Sequence, residues 1–200
     1  MYREKYDRIA GFYELLERPL NMFFNPLREK AVSLARGRTL EIGVGTGKTL
    51  GYYPPGVELY AVDGSEKMLE VAKKRAKELG MDVKFRVAEA ESLPFPDDFF
   101  DTVVSSFVFC TVPEPEKAME EIKRVLKPNG RAIFLEHTRS DSRLVNYLFL
   151  LPMKLLLKPL LDDDPLRETH RLVREHFKVE KEEAYYSGVV RLIVAKNDKD

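Results

Sequence analysis

The chain has 200 residues, 44% hydrophobic and 33% charged, with 33 basic and 33 acidic side chains that cancel to a net charge of zero. That length fits one domain with a substantial buried core, and that composition belongs to a globular chain rather than a disordered one. Neutrality leaves no overall field to favour nucleic acid, and the single Cys110 excludes an intrachain disulfide framework and a multi-cysteine zinc site.

Residues 2–17 carry Ile9, Phe12, Tyr13 and Leu16 at helical spacing, and Pro19 ends that helix. Pro26 suits the first turn of a second helix, which Gly37 closes. These two helices precede the first strand, so they are expected either to form a lid over a ligand or simply to pack on the core. A short apolar strand, 39–42, runs into Glu41-Ile42-Gly43-Val44-Gly45-Thr46-Gly47, and Lys48-Thr49-Leu50 reads as the opening of a helix. Glycines let a backbone turn tightly and approach a ligand. Gly47 follows Gly45 by two residues, whereas a dinucleotide loop places its third glycine three residues after the second. With Glu41 just before the first glycine, a ligand bearing a cationic amino group is favoured over a diphosphate.

Pro54-Pro55-Gly56 is a turn, and 57–62 is a second strand ending at Asp63, followed by Gly64. A carboxylate there, about 20 residues past the loop's start, can accept hydrogen bonds from both hydroxyls of a ribose. Otherwise it is an exposed turn aspartate. Ser65 caps a helix over 66–79 that Gly80 terminates, with Met68 and Leu69 facing inward to pack either on a flat base or in the core. A third strand covers 82–87, a fourth 102–106 with Ser105 and Ser106 at its end, and a helix opens at Pro115. The turn Lys127-Pro128-Asn129-Gly130 leads to a fifth strand, 131–136, ending at Glu136-His137. Alternation of strand and helix argues an α/β fold with a doubly wound, mostly parallel sheet. Gly43, Asp63, Glu89, Ser105 and His137 then converge at the carboxyl ends of the strands, where such sheets bind ligands.

Residues 143–161 break the pattern. They are rich in leucine, with two prolines, and read as two short amphipathic helices. Three roles stay open for 144–161: core, substrate cap, or peripheral contact with a membrane surface through leucines and lysines. A helix over 166–175 and a hairpin over 177–195 complete the chain, with 197–200 expected to fray. One domain is expected, comprising lid helices (1–37), a ligand-binding core (38–137), a helical cap (138–176) and a terminal hairpin (177–196). With three His no metal-ligand set stands out, and the polar start from Met1 to Asp7 has no apolar signal region, so a cytoplasmic location is expected.

These motifs together resemble the class I S-adenosylmethionine-dependent methyltransferases, over most of the chain from about Tyr6 to Ala195. The loop 41–47 is similar to the family's first motif, Asp63-Gly64-Ser65 with Met68-Leu69 to its second-strand acid and adenine-packing helix start, and Ala88-Glu89-Ala90-Glu91-Ser92-Leu93-Pro94-Phe95 to its third motif. Val125-Leu126-Lys127-Pro128-Asn129-Gly130 is similar to its turn before strand five; Glu89 stands where Asp is usual and Asn129 where Gly is usual. The resemblance implies a seven-stranded Rossmann-like sheet with an antiparallel last strand. It also implies methyl transfer from S-adenosylmethionine to a small or lipid-like apolar acceptor by direct displacement, releasing S-adenosylhomocysteine. Cofactor contacts are implied at Tyr13, Glu41, Gly43, Gly45, Gly47, Asp63, Gly64, Met68, Glu89, Ala90, Ser105 and Ser106. His137 is the candidate base and Tyr13 an orienting group, although a His137 bonded to a backbone carbonyl would be structural. Within the class, Tyr6-Asp7-Arg8-Ile9-Ala10-Gly11-Phe12-Tyr13 resembles the quinone-biosynthesis C-methyltransferases. Tyr52-Tyr53-Pro54-Pro55-Gly56 and Phe134-Leu135-Glu136-His137 are among the pieces more similar to phospholipid N-methyltransferases and membrane-associated thiol methyltransferases. A non-catalytic cofactor-binding or membrane-surface scaffold and an NAD-dependent oxidoreductase are the competing readings.

Overall fold

Five strands lie parallel at the centre of the computed structural model, which describes residues 21–161 and 164–199. They are β1 (Arg38–Ile42), β2 (Glu58–Asp63), β3 (Val83–Val87), β4 (Phe100–Ser106) and β5 (Leu126–His137). With β6 (Lys178–Tyr185) and β7 (Val190–Lys196) they form one seven-stranded sheet in the order β3-β2-β1-β4-β5-β7-β6. β7 runs antiparallel to both of its neighbours. The central strands are apolar almost throughout because helices cover both faces, so alternate side chains have no solvent side to point to.

The pleat sorts the core into two layers. Leu40, Ile42, Val62, Val103 and Phe134 pack under α3 (Pro115–Val125) and α5 (Thr169–His176), meeting Met119, Ile122 and Val173. On the other face, helix α1 (21–32) lays Leu27, Ala31 and Val32 on Val104, Ile133 and Leu135. α2 (Glu66–Glu78) lays Leu69, Ala72 and Ala76 on Leu59 and Ala61 of that same face. Full burial of side chains of this size contributes about 1.5–3 kcal/mol each, offset by ordering entropy.

Several expectations need correction. The glycine loop opens no α-helix, only a single 3₁₀ turn, Leu50–Tyr52, because Pro54 and Pro55 cut the segment short. Pro26 sits inside the helical run 21–32 rather than at its first turn, held there by the apolar stripe of α1 on the sheet. Residues 143–161 form one continuous helix, α4, rather than two. Between its α-helical parts Arg143–Val145 and Leu151–Leu161, a wider π turn, Asn146–Leu150, precedes Pro152, which has no N–H to give an α-helical ladder. Nor is that stretch core, since Leu150 is its one buried hydrophobic residue among those whose side chains are described.

The tail is anchored rather than frayed at Asn197. Its buried side-chain amide donates to the carbonyls of Lys123 and Leu126 at 3.0 Å, and its backbone pairs with Asn129 and Gly130. Asn129 takes a left-handed φ of +61°, which asparagine tolerates where glycine is otherwise needed. The helix over 2–17, Pro19, Tyr13, and Asp162 and Asp163 of the acidic turn lie outside the described residues.

Candidate active site

Strand order reverses between β1 and β4, which opens a crevice at their carboxyl ends. The glycine loop leaves β1 there. Gly43 has φ +65°, and a Cβ on it would stand 2.4 Å from Val108 Cγ2. Gly47, with φ +77°, lets the loop close on α2, since its Cβ would meet Leu50 Cδ1 at 2.7 Å and Ala72 Cα at 3.3 Å. Gly47 therefore serves close packing and is not part of the cleft wall.

Asp63 ties the loop to the next helix. One carboxylate oxygen accepts from the Gly45 N–H at 2.9 Å and the other from the Ser65 N–H at 2.8 Å. The Ser65 hydroxyl in turn accepts from the Met68 N–H at 3.1 Å, an N-cap that places Met68 in the cleft. The cleft measures about 660 Å³, open to solvent; Gly43, Gly45, Asp63, Gly64, Met68, Ala88 and Ala90 line one side, and Phe107, Val108, Thr111 and Val112 the other. Glu89, between the two alanines, is half-buried, its carboxyl pushed up to about 6 by burial and by neighbouring Glu91.

A second recess of about 380 Å³ shares Gly45 and Phe107 with the first and adds Arg28, Glu41, Thr46, Lys48, Thr49 and Ser106. Glu41 is buried there, accepting from the Thr49 hydroxyl at 2.7 and 2.9 Å and from the Tyr53 hydroxyl at 3.0 Å. Burial pushes its pKa up to about 7 against those hydrogen bonds. The hydroxyls of Ser106 and Thr46 are buried with no hydrogen-bond partner among the described residues, which suits a polar ligand beside the loop.

Phe107 divides the two recesses. It holds φ +59°, unusual for an aromatic residue, while its N–H donates to the Leu135 carbonyl at 2.8 Å. Its ring lies 4.5 Å from that of His137 and 5.2 Å from the Arg28 guanidinium. His137 is thus enclosed between Phe107 and Phe24 rather than exposed in either recess. Burial pushes its pKa down to about 4, with the Arg28 charge adding to the effect, and its Nδ1 has no partner among the described residues. Neutral at pH 7, it is a hydrogen-bond acceptor at one ring nitrogen.

Ser105 points inward, its hydroxyl donating to Glu136 at 2.6 Å. Glu136 also accepts from the N–H groups of Val108 and Phe109. Sequence reasoning did not single out Glu136, Phe107, Val108 or Arg28 as site residues. The position of Glu136 at the end of a buried strand was a usable signal, whereas Arg28 reaches the site from a helix whose placement only packing decides. Among the described residues no group of three or more His, Cys, Asp or Glu is placed to hold a metal ion.

The pattern has counterparts. A methyltransferase-domain family model matches residues 40–134. A phosphatidylethanolamine N-methyltransferase of Cereibacter sphaeroides is 38% identical over 121 residues, which cover 58% of this chain and 60% of that one. A ubiquinone/menaquinone biosynthesis C-methyltransferase of Geotalea daltonii is 30% identical over 158 residues, 74% of this chain and 67% of its own. The fold superposes with a TM-score of 0.73, at 26% identity, on an S-adenosylmethionine-dependent methyltransferase of Thermotoga maritima, covering 98% of this chain and 100% of that one. The chain therefore belongs to the class I S-adenosylmethionine-dependent methyltransferases.

Proposed function

We propose that the chain binds S-adenosylmethionine in the cleft beside Asp63 and methylates a small or lipid-like apolar acceptor. The observation that carries this reading is the Asp63 carboxylate, fixed between the glycine loop and the α2 cap while facing a 660 Å³ cleft. Asp63 can accept from ribose hydroxyls, Met68 and Ala90 offer apolar contact to a base, and Glu41 with the Ser106 and Thr46 hydroxyls offers acceptors and donors to an amino-acid tail. When bound, this cofactor would supply an electrophilic methyl group, which the acceptor's nucleophile takes as the sulfur–methyl bond breaks and S-adenosylhomocysteine leaves.

The chain's own residues then position and dehydrate. Phe107 and Val108 present apolar surface to the loop side, where orientation supplies much of the acceleration. An amine or activated ring carbon also releases a proton; His137, enclosed between Phe107 and Phe24 with its pKa pushed down to about 4, could accept it only if those rings open a path. Lipid-like acceptors are favoured because the relatives named above include a phosphatidylethanolamine and a quinone-precursor methyltransferase, and because the surface beside the site is apolar.

Isothermal titration with S-adenosylhomocysteine, S-adenosylmethionine and NAD tests the cofactor. Micromolar binding of the first two and none of NAD is expected, and heat from NAD alone would overturn the reading. Methyl transfer to phosphatidylethanolamine and to a demethylmenaquinone analogue then separates N- from C-methylation. Cofactor binding without turnover on either would favour the scaffold alternative.

A further inference from the structure

Helix α4 carries an apolar surface that the fold leaves uncovered. Leu144, Tyr147, Phe149, Leu155 and Leu156 are 62–70% exposed, and Leu148 52%. Three consecutive residues, 147–149, and the pair 155 and 156 are all exposed, so the apolar surface runs around more than one side of the helix. Leu150 turns inward at 3% exposure. From 143 to 161 there is no Asp or Glu, while Arg143, Lys154 and Lys158 are cationic. Asp164 partly offsets two of them, lying 2.7 Å from Lys154 and 3.8 Å from Lys158.

The chain is moored at both ends of the helix, and past its end the mooring lies beside the cleft. At the start, the Asn146 side chain accepts from the Ser140 N–H at 2.9 Å and donates to the Ser140 carbonyl at 2.8 Å. Past its end, the Asp164 N–H donates to the Cys110 carbonyl at 3.0 Å and Arg167 to the Val112 carbonyl at 2.6 Å, where Val112 lines the cleft. Exposed Tyr186, edge-on to exposed Phe23 at 6.5 Å, extends the apolar surface next to the helix start.

We propose that α4 docks in the plane of an anionic phospholipid surface, its leucines and aromatic rings among acyl chains and Arg143 and Lys158 at the headgroups. The helix itself carries three cations, no acid and exposed leucines, which suits such a surface despite the flanking aspartates at 141 and 162–164. No helix among the described residues is long and apolar enough to cross a membrane, so the contact is interfacial. Apolar exposure on more than one side suits immersion in acyl chains, whereas a protein partner's flat face would cover one side. Because the helix is moored at the cleft rim, docking brings the site's mouth to the bilayer. The inference holds whichever acceptor is methylated.

The test is co-sedimentation of the whole chain with vesicles of pure phosphatidylcholine and of phosphatidylcholine with an equal part of phosphatidylglycerol. Binding to the anionic vesicles is expected to be stronger by about tenfold or more and to weaken with salt. Leu148→Glu with Leu155→Glu is expected to abolish it, with unchanged circular dichroism and unchanged heat of S-adenosylhomocysteine binding showing an intact fold. The chain has no tryptophan, so Phe149→Trp gives a single reporter whose emission should shift to the blue on adding anionic vesicles. No pelleting with anionic vesicles, pelleting that survives the glutamates, or an unshifted tryptophan would overturn the proposal. So would a dimer in sedimentation velocity that the glutamates dissolve without any vesicle binding, which would assign the face to a second copy. Methyl transfer to a soluble acceptor by a chain that ignores vesicles would sink this inference and leave the proposed function standing.

Discussion

The Glu136 carboxylate holds the Val108 backbone against the end of β5, accepting its N–H at 3.0 Å while the same oxygen accepts from Phe109 at 3.1 Å. The other oxygen receives the Ser105 hydroxyl at 2.6 Å, so one fully buried side chain fixes the loop that walls the cleft and carries strained Phe107. Glu136→Leu strands two N–H groups and a hydroxyl in the interior and should cost about 3 kcal/mol in urea unfolding. Glu136→Gln keeps an oxygen for the two N–H groups and should cost less than half as much. Equal losses would mean that side-chain volume, not the acceptor, matters at this position.

The same residue predicts a pH effect. Burial raises the Glu136 pKa from 4.5 to about 7, so between those values the folded chain holds more protons than the unfolded chain. Its contribution is therefore fully present at low pH and is lost as pH rises through that window. Glu136→Gln lacks this titration, while Glu41, also raised to about 7, stays in both proteins and cancels. The stability gap between wild type and variant should therefore narrow from about pH 5 to about pH 8. Melting temperatures at the two pH values check it, and a widening gap would contradict the assignment.

Gly43→Ala probes how closely the loop and the cleft wall approach. The left-handed φ costs an alanine about 1–2 kcal/mol, and the added methyl meets Val108 at 2.4 Å. Gly43→Ala should therefore both lower the melting temperature and weaken cofactor binding. Adding Val108→Ala should recover the steric part of the loss but not the backbone part. No recovery in the double variant would place the whole cost in the backbone.

The parallel sheet, the convergence at its carboxyl edge and the Ser65 cap were legible because each rests on local signals: apolar runs, glycine spacing, and a serine three residues before Met68. What escaped depends on distant partners. Nothing in the order of residues says that Glu136 reaches Val108, that Asn197 plugs the end of α3, or that α4 stands exposed instead of filling the core. Lys48-Thr49-Leu50 tolerates helix, so the local sequence does not distinguish the 3₁₀ turn from a helix; Pro54 and Pro55 are what limit its length. Tyr13 rests on the sequence resemblance alone.

Asp63 joins the architecture of the loop to its chemistry. One carboxylate oxygen accepts the Gly45 N–H and the other the Ser65 N–H, and each oxygen of a carboxylate can accept more than one hydrogen bond. Asp63→Ala should weaken S-adenosylhomocysteine binding by about 1.5–3 kcal/mol, roughly tenfold to a hundredfold, through lost charge-assisted hydrogen bonds. Asp63→Asn can still accept at one oxygen, but its amide then meets the other N–H as donor against donor. It should thus lower the melting temperature about as much as alanine does, while keeping more of the cofactor affinity. Calorimetric titration of both variants beside their melting curves separates the roles. Unchanged affinity in the alanine variant would remove Asp63 from the cofactor site and leave it as a clamp between the loop and α2.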